Sequence, residues 1–381
     1  MSLPQKIRTP ATDLLQISHP VLLAGMNVAA GPKLAAAVTN AGGLGVIGGV
    51  GYSPAMLREQ VAELKDYLHD KNAPFGIDLL IPQVGGNARK TNYDYTKGKL
   101  DDLVDIVIES GAKLFVSAVG VAPKAVVDRL HAAGILYMNM VGHPKHVPKA
   151  LDAGADLICA QGGEGGGHTG DVPTMILIPA VCQVVAGKKS PLTGKPIQVI
   201  AGGGLYNGAT VAAALMLGAS AAWIGTRFIL SEEAGASKSH QEAVRTAGFD
   251  DTIRTIIFTV RLPHRHSKET LENNFHFLTF SDGKGRPLRV RKTPYILDWE
   301  DNRSSEIKEL TRNGVIPVQH DMEKADSEDD DTLMDKMERF MMGKVAAVVN
   351  ETKSAKAIVD ELVHDASVEL KKGTTLTQSK L

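Results

Sequence analysis

A chain of 381 residues, 43% apolar and 22% charged, can bury a substantial core as one large domain or two ordinary ones. Its net charge of −1 argues against an electrostatic nucleic-acid or membrane partner. No apolar stretch is long enough for a bilayer and residues 1–5 are no secretory signal, while the two cysteines, Cys159 and Cys182, lie in apolar runs and read as buried thiols of a reducing compartment.

From the start, short apolar runs alternate with amphipathic, Ala-rich segments. Residues 21–24 read as a strand, 32–40 as a helix closed by Ala41-Gly42-Gly43, and 44–47 as a second strand. Ser53-Pro54 opens a helix to about residue 68, with serine as cap and proline in the first turn. Residues 75–80 are the third strand. Helix 101–110 then leads to strand 114–117, 123–133 to 136–140, 146–153 to 157–159, 176–186 to 197–200, and 208–217 to 221–224. Helices repeatedly stop at a glycine that precedes a strand, as at Gly111, Gly134, Gly154 and Gly218, where glycine supplies a left-handed cap. Counting the segment after Trp223 as the last, eight strand–helix units predict an α/β fold, the (β/α)8 TIM barrel. An open doubly wound sheet is the runner-up; the barrel is preferred because apolar strands keep arriving at even spacing without an edge strand.

After Arg227 the rhythm breaks. A smaller α+β lid domain is expected over residues 232–331, inserted into a barrel made of 1–231 and 332–370. It contains a helix at 238–247 and a hairpin, with strands 275–280 and 287–290 around the turn 281–285. The acidic run 327–331 reads as a solvated linker or helix start. Residues 334–349 and 355–369 read as amphipathic helices returning to the barrel, and 371–378 as a disordered polar tail. The last three residues, Ser379-Lys380-Leu381, match a receptor-read peroxisomal address. The expectation is therefore peroxisomal residence, with the import receptor as a partner; a homo-oligomer stays open.

Barrel ligands sit over the C-terminal ends of the strands. Those ends carry Ala24-Gly25-Met26-Asn27, Asp78, Ser117, Asn139, Ala201-Gly202-Gly203-Gly204 and Gly225-Thr226. After the sixth strand comes Gln161-Gly162-Gly163-Glu164-Gly165-Gly166-Gly167-His168-Thr169-Gly170, with six glycines in ten residues. Such a loop, Gly166 and Gly167 included, can wrap backbone amides around a ligand, and His168 is its proton-transfer group. The bland alternative is a floppy surface loop. Gly202 to Gly204 paired with Gly225-Thr226 match the phosphate site of barrels after strands seven and eight. No metal spacing appears: His264 and His266 are isolated, and there is no Cys-x-x-Cys. His143 and His146 read as capping or exposed residues. With no metal and no nucleophile elbow, a phosphate grip and one histidine point to a cofactor that carries the chemistry.

These stretches, together with residues 34–45 and Gly225-Thr226-Arg227-Phe228, resemble the nitronate monooxygenases, formerly 2-nitropropane dioxygenases, over roughly residues 12–370. The resemblance implies FMN as cofactor, a second domain over the flavin, and oxidation of alkyl nitronates, propionate 3-nitronate among them, by O₂ to a carbonyl compound and nitrite. It implies that Gly25, Met26, Asn27 and Gln161 lie along the isoalloxazine, and that Gly202, Gly203, Gly204, Gly225 and Thr226 hold the phosphate. His168 would be the base or nitronate-orienting group. Asp78 stands where the family often has Asn, and is expected to make a polar contact to the flavin. Thr169 stands where an arginine often follows the histidine. Two rivals remain: an NAD(P)H-dependent flavin reductase acting on quinones or enoyl thioesters, and a non-catalytic flavin-binding protein.

Overall fold

The computed structural model describes residues 6–81, 94–258, 287–313, 315–328 and 336–376. Its strands in chain order are β1 (Val21–Leu23), β2 (Gly45–Gly49), β3 (Phe75–Leu80), β4 (Leu114–Ala118), β5 (Leu136–Val141) and β6 (Leu157–Gln161). Then follow a two-residue strand β7 (Gly167–His168), β8 (Gln198–Gly202), β9 (Ala221–Ile224), β10 (Thr252–Thr255) and β11 (Leu288–Arg291). Eight of these, all but β7, β10 and β11, form one sheet in the order β1-β9-β8-β6-β5-β4-β3-β2, with every ladder parallel. A parallel bridge from Leu22 to Leu44 brings the two ends together. This is the (β/α)8 barrel, and the open-sheet alternative falls with that bridge.

Strand alternation explains how the barrel is filled. Leu22, Val46, Val116, Met138, Cys159, Ile200 and Trp223 form an interior cluster, while the alternate residues Val21, Ile47, Ile77, Phe115, Tyr137 and Ile158 pack outward against the helices. The expected glycine caps are present: Gly111 and Gly154 close their helices with φ of 70° and 106°. The C-terminal helix Ala355–Thr375 packs its buried face, Ile358, Val359, Leu362 and Ala366, into the same outer core. It reaches Thr375, so residues 371–375 are helical and not a disordered tail.

A second sheet, β10-β11-β7, is antiparallel. A separate apolar cluster with Phe258, Leu288, Val290, Ile296, Trp299 and Ile307 lies with it. Inside that cluster Arg303 lies over the Trp299 ring and shares Asp321 with the Trp299 Nε1–H and the Tyr295 hydroxyl. The predicted helix 334–349 does not continue through its described part: residues 338–343 are not helical, with a bridge from Met341 to Val290, and Lys344–Val348 is a 3-10 turn. Backbone pairing to β11 outcompetes the weak amphipathic pattern there. Strand 275–280 and turn 281–285 of the expected hairpin, His264, His266, Asp329 to Asp331 and Ser379-Lys380-Leu381 lie outside the described residues.

Candidate functional site

The floor of the barrel mouth is built on β3. Asp78 stands in register between Gly48 on β2 and Val116 on β4 and is only 3% exposed. A Cβ on Gly25 would fall 2.4 Å from its Oδ2, so Gly25 is the residue that leaves room for this carboxyl. A Cβ on Gly48 would fall 2.4 Å from the amide nitrogen of Asn27 and 2.5 Å from that of Met26, which lets the chain after β1 cross directly over β2. Among the described residues Asp78 Oδ1 is buried and finds no partner. A carboxylate there would lack water and a counter-charge, and burial pushes the Asp78 pKa up to about 8. The carboxyl is thus largely protonated at neutral pH. Burial, with Asp78 as a second cause, also pushes the Cys159 thiol upward.

The opposite wall is made by the ends of β8 and β9. Gly203 and Gly204 take φ of +85° and +75°, which glycine adopts without strain, and a Cβ on Gly203 would fall 2.8 Å from Gly162 O. The Gly162 amide donates to Gly202 O at 2.8 Å, so the turn after β8 is fastened to the loop after β6. Thr174 strengthens the junction: its hydroxyl lies 2.9 Å from Gly203 O and 2.7 Å from the Glu164 carboxylate. At the end of β9, Gly225 lies against Met26, whose Sδ would be 3.3 Å from an added Cβ. Thr226 beside it is 8% exposed, and its Oγ1 accepts from the Gly343 amide at 2.9 Å.

The loop that carries His168 is not floppy. Gln161 Nε2 donates to His168 O at 3.0 Å, and a Cβ on Gly165 would fall 2.5 Å from that same Nε2. Gly167 and His168 form β7 by pairing with Arg289 and Leu288. Arg289 donates through Nε and Nη2 to Gly163 O at 3.1 and 2.8 Å. Arg254 reaches Thr169 O at 3.3 Å and pairs with Asp171. These anchors come from strands more than 80 residues along the chain, and no local signal announces them. The antiparallel register puts His168 on the same sheet face as Leu288, and its Nε2 is buried.

The structure therefore brings Gly25, Met26, Asn27, Asp78, Gln161, Gly166, Gly167, His168, Gly202, Gly203, Gly204, Gly225 and Thr226 around one end of the barrel. Other residues at strand ends have structural partners. Asn139 accepts from the Tyr137 hydroxyl at 2.7 Å and donates to Met140 O, and His143 caps its own turn by accepting from the Lys145 amide. The arrangement offers one imidazole, one neutral carboxyl, and a set of glycine turns.

Comparison with known proteins gives the family. The family model described as "Nitronate monooxygenase" matches residues 8–365. The chain is 31% identical, over 98% of its length and 100% of the relative's, to the (3aS,4S,5R,7aS)-5-hydroxy-7a-methyl-1-oxo-octahydro-1H-indene-4-carboxyl-CoA dehydrogenase of Mycobacterium tuberculosis. It is 28% identical to a probable nitronate monooxygenase of Staphylococcus saprophyticus, over 67% of this chain and 77% of that one. Among solved structures, FabK from Thermotoga maritima superposes with a TM-score of 0.71 at 28% identity, covering 97% of this chain and 100% of that one. A match from near the first residue to near the last, on a barrel whose mouth carries the motifs above, means that the chain belongs to the nitronate monooxygenase family of flavin-dependent oxidoreductases.

Proposed function

We propose that the protein binds FMN at the barrel mouth and oxidises alkyl nitronates with O₂ to a carbonyl compound and nitrite. The observation that carries this reading is the convergence of three parts. They are the glycine turns after β8 and β9, the buried carboxyl of Asp78, and the anchored loop that ends in His168. The residues present fit FMN. Gly202, Gly203, Gly204, Gly225 and Thr226 offer backbone amides and a hydroxyl for a phosphate, and Asp78 Oδ1 is a buried polar atom that needs a partner. Gly25, Met26, Asn27 and Gln161 would flank the ring, and Gly166 and Gly167 allow close approach. Bound FMN supplies the electron transfer between substrate and O₂.

The chain's own residues do the rest. A nitronate is already a carbanion equivalent, so His168 needs only to orient it, or to take the α-proton from a neutral nitroalkane. Arg289 and Gln161 hold the loop so that the imidazole does not have to be ordered at the moment of reaction. The layer of β10, β11 and the Trp299 cluster serves as the smaller unit over the mouth.

A second reading is favoured by the end-to-end match to a CoA-thioester dehydrogenase. A histidine that removes a proton next to a nitro group can remove one next to a thioester carbonyl. Oxygen uptake and nitrite release with a panel of nitronates, beside NADH, NADPH and acyl-CoA thioesters, separates the two. The first reading expects turnover and nitrite with ethyl nitronate or propionate 3-nitronate. Flavin reduction by an acyl-CoA thioester, with no nitrite from any nitronate, selects the second, and reduction by NADH or NADPH alone selects a flavin reductase.

A further inference from the structure

Residues 342–344 are wedged between the two loops assigned above to the phosphate and to the reacting atoms. The Gly343 amide donates to Thr226 Oγ1 at 2.9 Å across 117 residues of chain, and the next amide, Lys344, donates to Glu164 O at 2.9 Å. A Cβ on Gly343 would fall 2.7 Å from Glu164 O and 3.2 Å from Gly166 N, and one on Gly166 would fall 2.6 Å from the carbonyl carbon of Met342. Backbone meets backbone here with no space for a side chain on either strand of the contact.

A threonine hydroxyl has one hydrogen to give and two lone pairs. The Gly343 N–H occupies a lone-pair side of Thr226 Oγ1, so the hydroxyl hydrogen must point elsewhere. Among the described residues the hydrogen bond at Thr226 Oγ1 is one that it accepts, and the residue is 8% exposed. A hydroxyl whose hydrogen is turned away from Gly343 can donate to an incoming anion, and a hydrogen bond to a charged acceptor is the stronger kind.

We infer that Gly343 is a positioning residue for the cofactor phosphate: it fixes the Thr226 hydroxyl as a donor to that phosphate and fastens the phosphate grip to the loop that carries His168. The inference rests on the FMN reading of the site. It adds a third chain segment, the one with no recognisable motif, to a grip otherwise made by the ends of β8 and β9.

The test is flavin binding to the apoprotein, comparing FMN with riboflavin, which lacks the phosphate. Thr226→Val should weaken FMN binding by roughly ten- to a hundredfold, the share of one hydrogen bond to a charged group, and leave riboflavin binding unchanged. Thr226→Ser should keep most of the FMN preference. Gly343→Ala should lose a similar factor in the wild-type background and little more in a Thr226→Val background. Should Gly343→Ala fail to fold, hydrogen exchange gives a second readout. FMN but not riboflavin should slow exchange over residues 342–344, and Thr226→Val should abolish that difference. Additive losses in the double variant, or an FMN preference that survives Thr226→Val, overturn the inference. A wild-type protein that binds riboflavin as tightly as FMN overturns the phosphate reading itself.

Discussion

At the scale of single residues, Asp78 has the sharpest consequence. Its carboxyl titrates near 3.8 in a free chain and at about 8 in the fold, because burial disfavours the ion. Between those values the folded protein holds a proton that the unfolded chain has released. Stability must therefore fall as pH rises through this window, by up to about 1.4 kcal/mol per pH unit. Asp78→Asn removes the titration. Melting of the flavin-free protein from pH 5 to 8 should show the wild type losing ground against Asp78→Asn as pH rises, whereas parallel curves would mean that the carboxyl is solvated. The same residue is where a reader of the sequence stops short. That a carboxylate stands within the third strand is visible in the chain, but its burial beside Gly25 and its unpartnered oxygen are not.

At the scale of elements, glycine plays two roles that sequence pattern cannot separate. Gly111 ends a helix in the left-handed region with open space around its Cα, while Gly45 on β2 touches the helix Pro32–Asn40 so closely that a Cβ would fall 1.8 Å from Ala35 O. Gly111→Ala should cost only about 1 kcal/mol, from the strained dihedral alone. Gly45→Ala has to push a helix off its strand and should cost several times as much, on the order of overpacked core substitutions, ~3 kcal/mol. Urea unfolding of the two variants checks the order; equal losses would contradict the packing described for β2. The cap at Gly111 was legible from its place between a periodic helix and a strand. The contact at Gly45 was not, because it depends on the barrel bringing helix and strand together.

At the scale of the whole molecule, the barrel was legible because each of its units repeats one local pattern: an apolar strand, an amphipathic helix and a glycine. The end of the molecule that holds the candidate site was legible for the same reason, since ligands gather where parallel strands finish. What holds the site rigid was not. Arg289 and Arg254 come from the second sheet, and Gly343 comes from a segment whose sequence pattern predicts a helix. All three act through backbone carbonyls or a hydroxyl across more than 80 residues. Such contacts leave no periodicity for a local pattern to find.

The proposed function requires FMN at this mouth to take electrons from a nitronate placed by His168. Its most direct measurement is the visible spectrum of the FMN-loaded protein mixed anaerobically with ethyl nitronate. The flavin band should bleach, and His168→Asn should keep the bound flavin but slow bleaching by roughly a hundredfold or more. A band that ethyl nitronate leaves unchanged while NADH, NADPH or an acyl-CoA bleaches it would contradict the claim.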